Sequence, residues 1–261
     1  MSRMKEAIIL AYSNKFKNLK SFNLIMGVFH FIQAVLMVWL STDFAISITS
    51  TYMMGPPGTE SMGIETLFDI RLGVMVALFM FLSSLAHFSV ATFAYDWYIE
   101  NLKNHINRAR WIEYSLSSSV MIIIISMLVG ITDIGVLISL FIVNASMIFF
   151  GWLMESYNQK TDKVVWSPFI FGCVAGAAPW ITIFIRLITA ISKSPVDVPT
   201  FIIWIFISLF IFFNIFAINQ LLQYKKVGSW HDYLFGEKMY IVLSLVAKSA
   251  LAWQVFSGTL V

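Results

Sequence analysis

The chain has 261 residues, 59% of them hydrophobic and only 12% charged, with a mean hydropathy of +0.82. That composition excludes an ordinary soluble domain and points to an integral membrane protein. The formal net charge of +3 does not indicate a nucleic-acid reader, because the basic residues are scattered through the connections between apolar runs and form no single face.

A membrane-spanning helix needs about 20 apolar residues. Runs of that kind lie near 21–41, 69–94, 107–130, 134–154, 167–191, 200–223 and 239–258. They predict an all-α, seven-span bundle forming one domain over 21–261, after a basic segment at 1–20. In that segment Ile8, Ile9, Tyr12, Phe16 and Leu19 alternate with lysines, which suits either an amphipathic helix on an anionic leaflet or a solvated basic tail. The first span is too long for a signal-peptide core and lacks a persuasive small-residue cleavage site, so it reads as a retained anchor. The connection Ser41–Glu65 has no Lys or Arg and holds Gly55-Pro56-Pro57-Gly58 beside the β-prone run Ile46–Tyr52, which predicts a short β-hairpin. Ile131–Asp133 is short enough to join only antiparallel neighbours. In the fifth span Gly172 and Gly176 suit close helix packing, and the single Cys173 is a small packing residue that hints at no disulfide or metal site.

The distribution of basic residues sets an expected orientation. Arg3, Lys5, Lys15, Lys17 and Lys20 precede the first span, and Lys103, Arg108, Arg110, Lys160, Lys163, Lys225, Lys226 and Lys238 flank connections on the same side. The other side has only Arg71, Arg186 and Lys193. By the positive-inside rule the N-terminus is cytoplasmic and the C-terminus outside, in the cell membrane. The basic inner connections could bind anionic lipid or a cytoplasmic protein.

Lys248 lies in the middle of the last span, about 13 Å from its start at ~1.5 Å per residue. An intramembrane charge is costly and marks a functional site with a partner to be found. Of the carboxylates only Glu113 falls clearly inside a predicted span, at a compatible depth, so it is the candidate counterion. A structural interhelix salt bridge is the competing reading, although buried pairs are weak devices for stability. His30, Gln33, Ser83 and His87 fall in the same layer; each histidine could equally be a hydrogen-bonded interhelix residue. A partly desolvated lysine amine condenses with aldehydes, and such a ligand would need an aromatic slot of the kind offered by Trp180, Phe210 and Phe213.

The segment from Ser244 through Lys248 to Trp253 and Gln254 resembles the attachment helix of the heliorhodopsins. Trp111-Ile112-Glu113-Tyr114 with its following serines is similar to that family's third helix, Asn144-Ala-Ser-Met-Ile to its fourth, and Gly55-Pro-Pro-Gly-Thr59 to its first outside loop. The resemblance covers essentially everything after residue 20. It implies a rhodopsin-like bundle and all-trans retinal on Lys248 as a protonated Schiff base, with Glu113 as counterion. It also implies Ser83 and Ser244 as neighbours of that group and His30 and His87 in an adjoining polar cavity. Asn107 and Tyr114 would support the cavity, with Trp180 and Phe213 along the polyene, in a homodimer.

A pump needs a second proton-carrying group toward the opposite surface. One turn before the lysine stands Ser244, and eleven residues after Glu113 stands Ile124. The resulting expectation is a photoreceptor, not an enzyme, with a slow photocycle and no net transport, signalling to an unidentified cytoplasmic partner. The alternative is a light-gated ion or proton channel or transporter using the Lys248–Glu113 pair.

Overall fold

The computed structural model describes residues 2–59, 62–195 and 199–259, and the side chains of 15–59, 62–195 and 199–257. In chain order the elements are α1 (Ser2–Leu40), β1 (Ala45–Met53), β2 (Met62–Arg71), α2 (Leu72–Ala91), α3 (Tyr95–Lys103), α4 (Arg108–Leu128), α5 (Ile134–Asn158), α6 (Ser167–Lys193), α7 (Thr200–Tyr224), a 3-10 turn (Gly228–His231) and α8 (Tyr233–Thr259). Among the described residues seven of the helices, all except α3, are long and apolar enough to cross a membrane, so the chain is a multi-pass membrane protein.

In the bundle α1 packs on α2, α2 on α4, α4 on α5 and α5 on α6, while α7 packs on α8 and α8 returns to α1 and α2. The central pillar is α4, whose Ile122, Ile124 and Ile125 are fully buried against α2 residues such as Phe79 and Met80. Side chains such as Ile142, Ile185, Ile188 and Ile211 are exposed, as helices facing hydrocarbon require. Close approach of α1 and α2 depends on Gly27, where a Cβ would meet the Phe88 ring at 3.0 Å and whose carbonyl accepts from Ser84 Oγ at 2.9 Å. The Gly172 and Gly176 expectation is met at the α5–α6 contact: a Cβ on Gly176 would fall 2.4 Å from Met147 Sδ.

The expected hairpin is present and longer than its β-prone run. Strands β1 and β2 pair antiparallel from Ala45↔Arg71 to Met53↔Met62, with a bulge after Ile48. Pairing therefore continues to Arg71, and α2 begins at Leu72, three residues after the start of the predicted span at 69. The hairpin is tied to the α4–α5 turn, since Thr49 N donates to Thr132 O at 3.0 Å and Thr51 N to Asp133 Oδ2 at 3.0 Å. Asp133 also caps α5 through Gly135 N and Val136 N. The Thr51 amide, followed by the cap amides, holds the Asp133 carboxyl below its ordinary value.

Helix α1 runs through position 20 without a break, and Phe16 and Leu19 are buried with Tyr98, Leu102 and Leu234. The end of the basic segment is thus part of the bundle, with Lys15 Nζ 2.7 Å from Asp232 Oδ2. The side chains of residues 1–14 lie outside the described set. Helix α3, amphipathic and short, was not expected from hydropathy. The bundle has two distinct ends: an N-terminal side that holds α3 and the α7–α8 turn, and opposite it a hairpin side that holds β1 and β2.

Candidate functional site

Helix α8 carries Lys248 into the centre of the bundle, where it is 3% exposed. Its Nζ donates to Glu113 Oε1 of α4 at 2.6 Å and to Ser83 Oγ of α2 at 2.5 Å. The Ser83 hydroxyl in turn lies 2.6 Å from Glu113 Oε1, so three helices converge on a closed amine–hydroxyl–carboxylate triangle. The Nζ also sits 5.2 Å from the centre of the Tyr114 ring, and Tyr114 is fixed by a hydrogen bond to Tyr240 O at 2.9 Å. An ammonium this deep keeps its charge only beside an anion, and Glu113 supplies one at contact distance.

From Glu113 a polar cavity of roughly 410 Å3, counting the space at its mouth, extends toward the N-terminal side. Asn23, His87, Tyr98, Asn107, Arg110, Tyr114, Glu237, Tyr240 and Ser244 line it with Glu113. Here the sequence-predicted residues largely meet. His87 of α2 stacks on His30 of α1, ring centres 5.4 Å apart, and His87 Nδ1 lies 2.8 Å from Asn23 Oδ1. Since Asn23 Nδ2 donates to Leu19 O at 2.9 Å, its oxygen faces His87, so His87 Nδ1 carries the proton and a neutral ring leaves Nε2 as a base. His30 Nδ1 lies 3.4 Å from Met80 Sδ, and its buried Nε2 has no hydrogen-bond partner. Burial keeps the Tyr98 phenol of α3 above its ordinary value, so the cavity wall there is neutral.

Neither His30 nor Gln33 lines the cavity itself: His30 sits behind His87, and Gln33 is turned elsewhere. Its Oε1 accepts from the Trp253 indole at 3.3 Å, and its amide lies away from the cavity lining. Trp180 of α6 is buried among Phe184, Phe210 and Phe213, with ring centres 5.2 to 5.9 Å away, so α6 and α7 meet through an aromatic cluster. On the hairpin side of Lys248 the core is Ile122, Ile124, Met127, Leu251, Ala252 and Val255, all buried and apolar.

The expectation that Glu113 is the one carboxylate inside the spans is corrected by Glu155 of α5 and Glu237 of α8, each 1% exposed. Both grip Arg110 of α4: Nη2 lies 2.5 Å from Glu155 Oε1, and Nη1 bonds Glu237 Oε1. Asn107, predicted as a cavity support, caps α4 by accepting from Arg110 N at 3.0 Å while its Nδ2 donates to Glu237 Oε2 at 2.6 Å. Trp111 Nε1 donates to Glu155 Oε2 at 2.5 Å. Glu155 falls one residue past the predicted fourth span and Glu237 two before the seventh. The available signal was Arg110, a cation inside a predicted span that itself required a counter-charge.

A family model described as heliorhodopsin matches residues 19–260 of the chain. Among curated proteins none matches. Among solved structures, a light-driven proton pump from Leptosphaeria maculans superimposes with a TM-score of 0.66 at 12% sequence identity, covering 92% of this chain and 94% of the other. That likeness establishes a shared rhodopsin fold.

Proposed function

Because the chain belongs to the heliorhodopsin family, we propose that it is a light sensor carrying all-trans retinal on Lys248, with Glu113 as counterion and no net ion transport. Family and fold imply a retinal chromophore. The donor set fits one: a single buried amine bonded to a carboxylate and a hydroxyl, with an aromatic cluster between α6 and α7 on Trp180 and Phe213. Bound there, retinal supplies visible absorption and a light-driven isomerisation.

The protein's own groups account for the proton. Glu113 and Ser83 hold it at Lys248 Nζ in the dark, and movement at Nζ frees it into the cavity. His87 Nε2, on the same cavity wall as Glu113, is the base positioned to receive it. The carrying observation is the one-sidedness of this arrangement. The cavity beside Lys248 opens toward the N-terminal side, while on the hairpin side, beyond the buried Ser117, the core is closed by Ile122, Ile124, Leu251 and Val255 and also holds the buried Ser126 of α4. A proton that leaves and returns through one cavity does no transport, so the photon's energy goes into a change of shape on the N-terminal side. On the basic-residue bias that side is the cytoplasm, where a signalling partner would read the change. Under the same reading the protein works as a homodimer surrounded by membrane lipid.

Expression with all-trans retinal tests the assignment. A visible pigment in the wild type, absent in Lys248→Ala, supports it; a colourless wild type sinks it.

A further inference from the structure

The buried charges on the N-terminal half do not balance. Lys248 and Glu113 cancel, but Arg110 faces two carboxylates, Glu155 and Glu237, all with buried side chains. An uncompensated buried carboxylate resolves its excess charge by binding a proton. The two carboxyl groups differ in their hydrogen bonds. Glu155 accepts from Arg110 Nη2, Trp111 Nε1, the Asn107 backbone N–H and, at 3.5 Å, Tyr233 Oη, so each of its oxygens faces two donors. Glu237 accepts from Arg110 and Asn107, with only Gln223 Nε2 beyond them at 3.5 Å. The buried Oε1 of Gln223 has no donor, and a half-turn of this amide, which gives up the bond from Nε2 to Tyr233 O at 3.3 Å, presents an acceptor to a carboxylic O–H. The remaining groups facing the pair are phenols: Tyr98 from α3, Tyr224 from α7, and Tyr233 and Tyr240 from α8.

Glu237 also lines the cavity that reaches Glu113 and Ser244, whereas Glu155 does not. The span between Glu237 and Lys248 is about 16 Å along α8 at ~1.5 Å per residue, and the cavity between them is polar and roomy enough to hold water.

We propose that Glu237 is a second proton site, protonated in the dark, and the donor that returns a proton to Lys248 Nζ after illumination. In that step the Glu237 O–H bond breaks and an N–H bond at Nζ forms. The carboxylate left behind is held by Arg110 until it regains a proton from water at the mouth of the cavity. Donor and acceptor thus share one cavity on one side of the apolar core, which keeps the cycle free of net transport.

The dark state is tested on retinal-free protein, by infrared spectroscopy with 13C-labelled glutamate. The proposal expects a carboxylic-acid carbonyl band that moves in Glu237→Asp, stays in place in Glu155→Asp, and vanishes in Glu155→Gln, which removes the excess charge. No acid band, or one that moves with Glu155→Asp, overturns the proton site. The donor role rests on the retinal reading and is tested separately: Glu237→Gln pigment should recover its proton at Nζ at least tenfold more slowly after a flash, with partial rescue by a small weak acid such as azide. Unchanged recovery overturns the donor role. A failure to form any pigment ends the light-sensing reading, and the donor role with it, while the acid band still decides the proton site.

Discussion

Replacing Glu113 with Gln leaves the Lys248 ammonium without an anion, and the size of the effect can be worked from the geometry. With Lys248 3% exposed and its carboxylate partner at 2.6 Å, removing the partner from a buried pair costs about 3–5 kcal/mol if the charge stays. The lysine can escape by losing its proton, and from a reference pKa near 10.4 that costs about 4.6 kcal/mol at pH 7, at 1.36 kcal/mol per unit. The two routes are of the same size, so retinal-free Glu113→Gln should lose roughly 3–5 kcal/mol at pH 7. If the proton is lost on folding, the unfolded chain binds more protons than the folded one. Stability of the variant then rises by about 1.4 kcal/mol per pH unit up to pH ~10. Denaturant unfolding of the solubilised protein across pH measures this. Glu113→Gln/Lys248→Met should recover most of the loss. A single variant as stable as wild type, or a double variant no more stable than the single, would refute the ion-pair argument.

Arg110→Leu strands Glu155 and Glu237 together and should cost about 3–5 kcal/mol by the same unfolding assay; Glu237→Gln, which removes an already neutral acid, should cost under about 1 kcal/mol. At Gly151 an added Cβ would fall 2.4 Å from the Trp111 ring, so Gly151→Val should destabilise by about 1–3 kcal/mol and detach the indole from Glu155, seen as a changed Trp fluorescence. Asp133 ties β1 to the start of α5, and its depressed pKa means this support is present above the ordinary carboxylate range and lost as pH falls through the folded value. Asp133→Ala should therefore lower the melting temperature at neutral pH, with the difference from wild type closing in acid. A gap that persists at low pH would remove the carboxylate from that role.

The seven spans were legible because hydrocarbon demands long apolar runs, and Lys248 and Glu113 were legible because charges inside such runs stand out. The same logic hid Glu155 and Glu237. A charged residue ends a hydropathy run whether or not it is buried, and only the approach of α4, α5 and α8 shows that both are buried on Arg110. Helix α3 escaped because its nine residues mix Asp96, Glu100 and Lys103 with apolar positions, too short and too polar to register. Helical spacing alone sets Gln33 beside His30. Three residues turn a helix by about 300°, and that offset carries the amide away from the cavity to Trp253. The start of α2 differs from the hydropathy reading because the hairpin ladder claims Asp69, Ile70 and Arg71, which run directly into the apolar stretch from Leu72.

The most direct test of light sensing without transport is the pH of a lightly buffered suspension of cells expressing the pigment, recorded during illumination with and without a protonophore. The one-sided cavity predicts no protonophore-sensitive change, while the visible band of the same cells bleaches and slowly recovers. A sustained light-driven pH shift abolished by the protonophore would contradict it, and would require a proton path through the apolar core at Ile124 and Leu251.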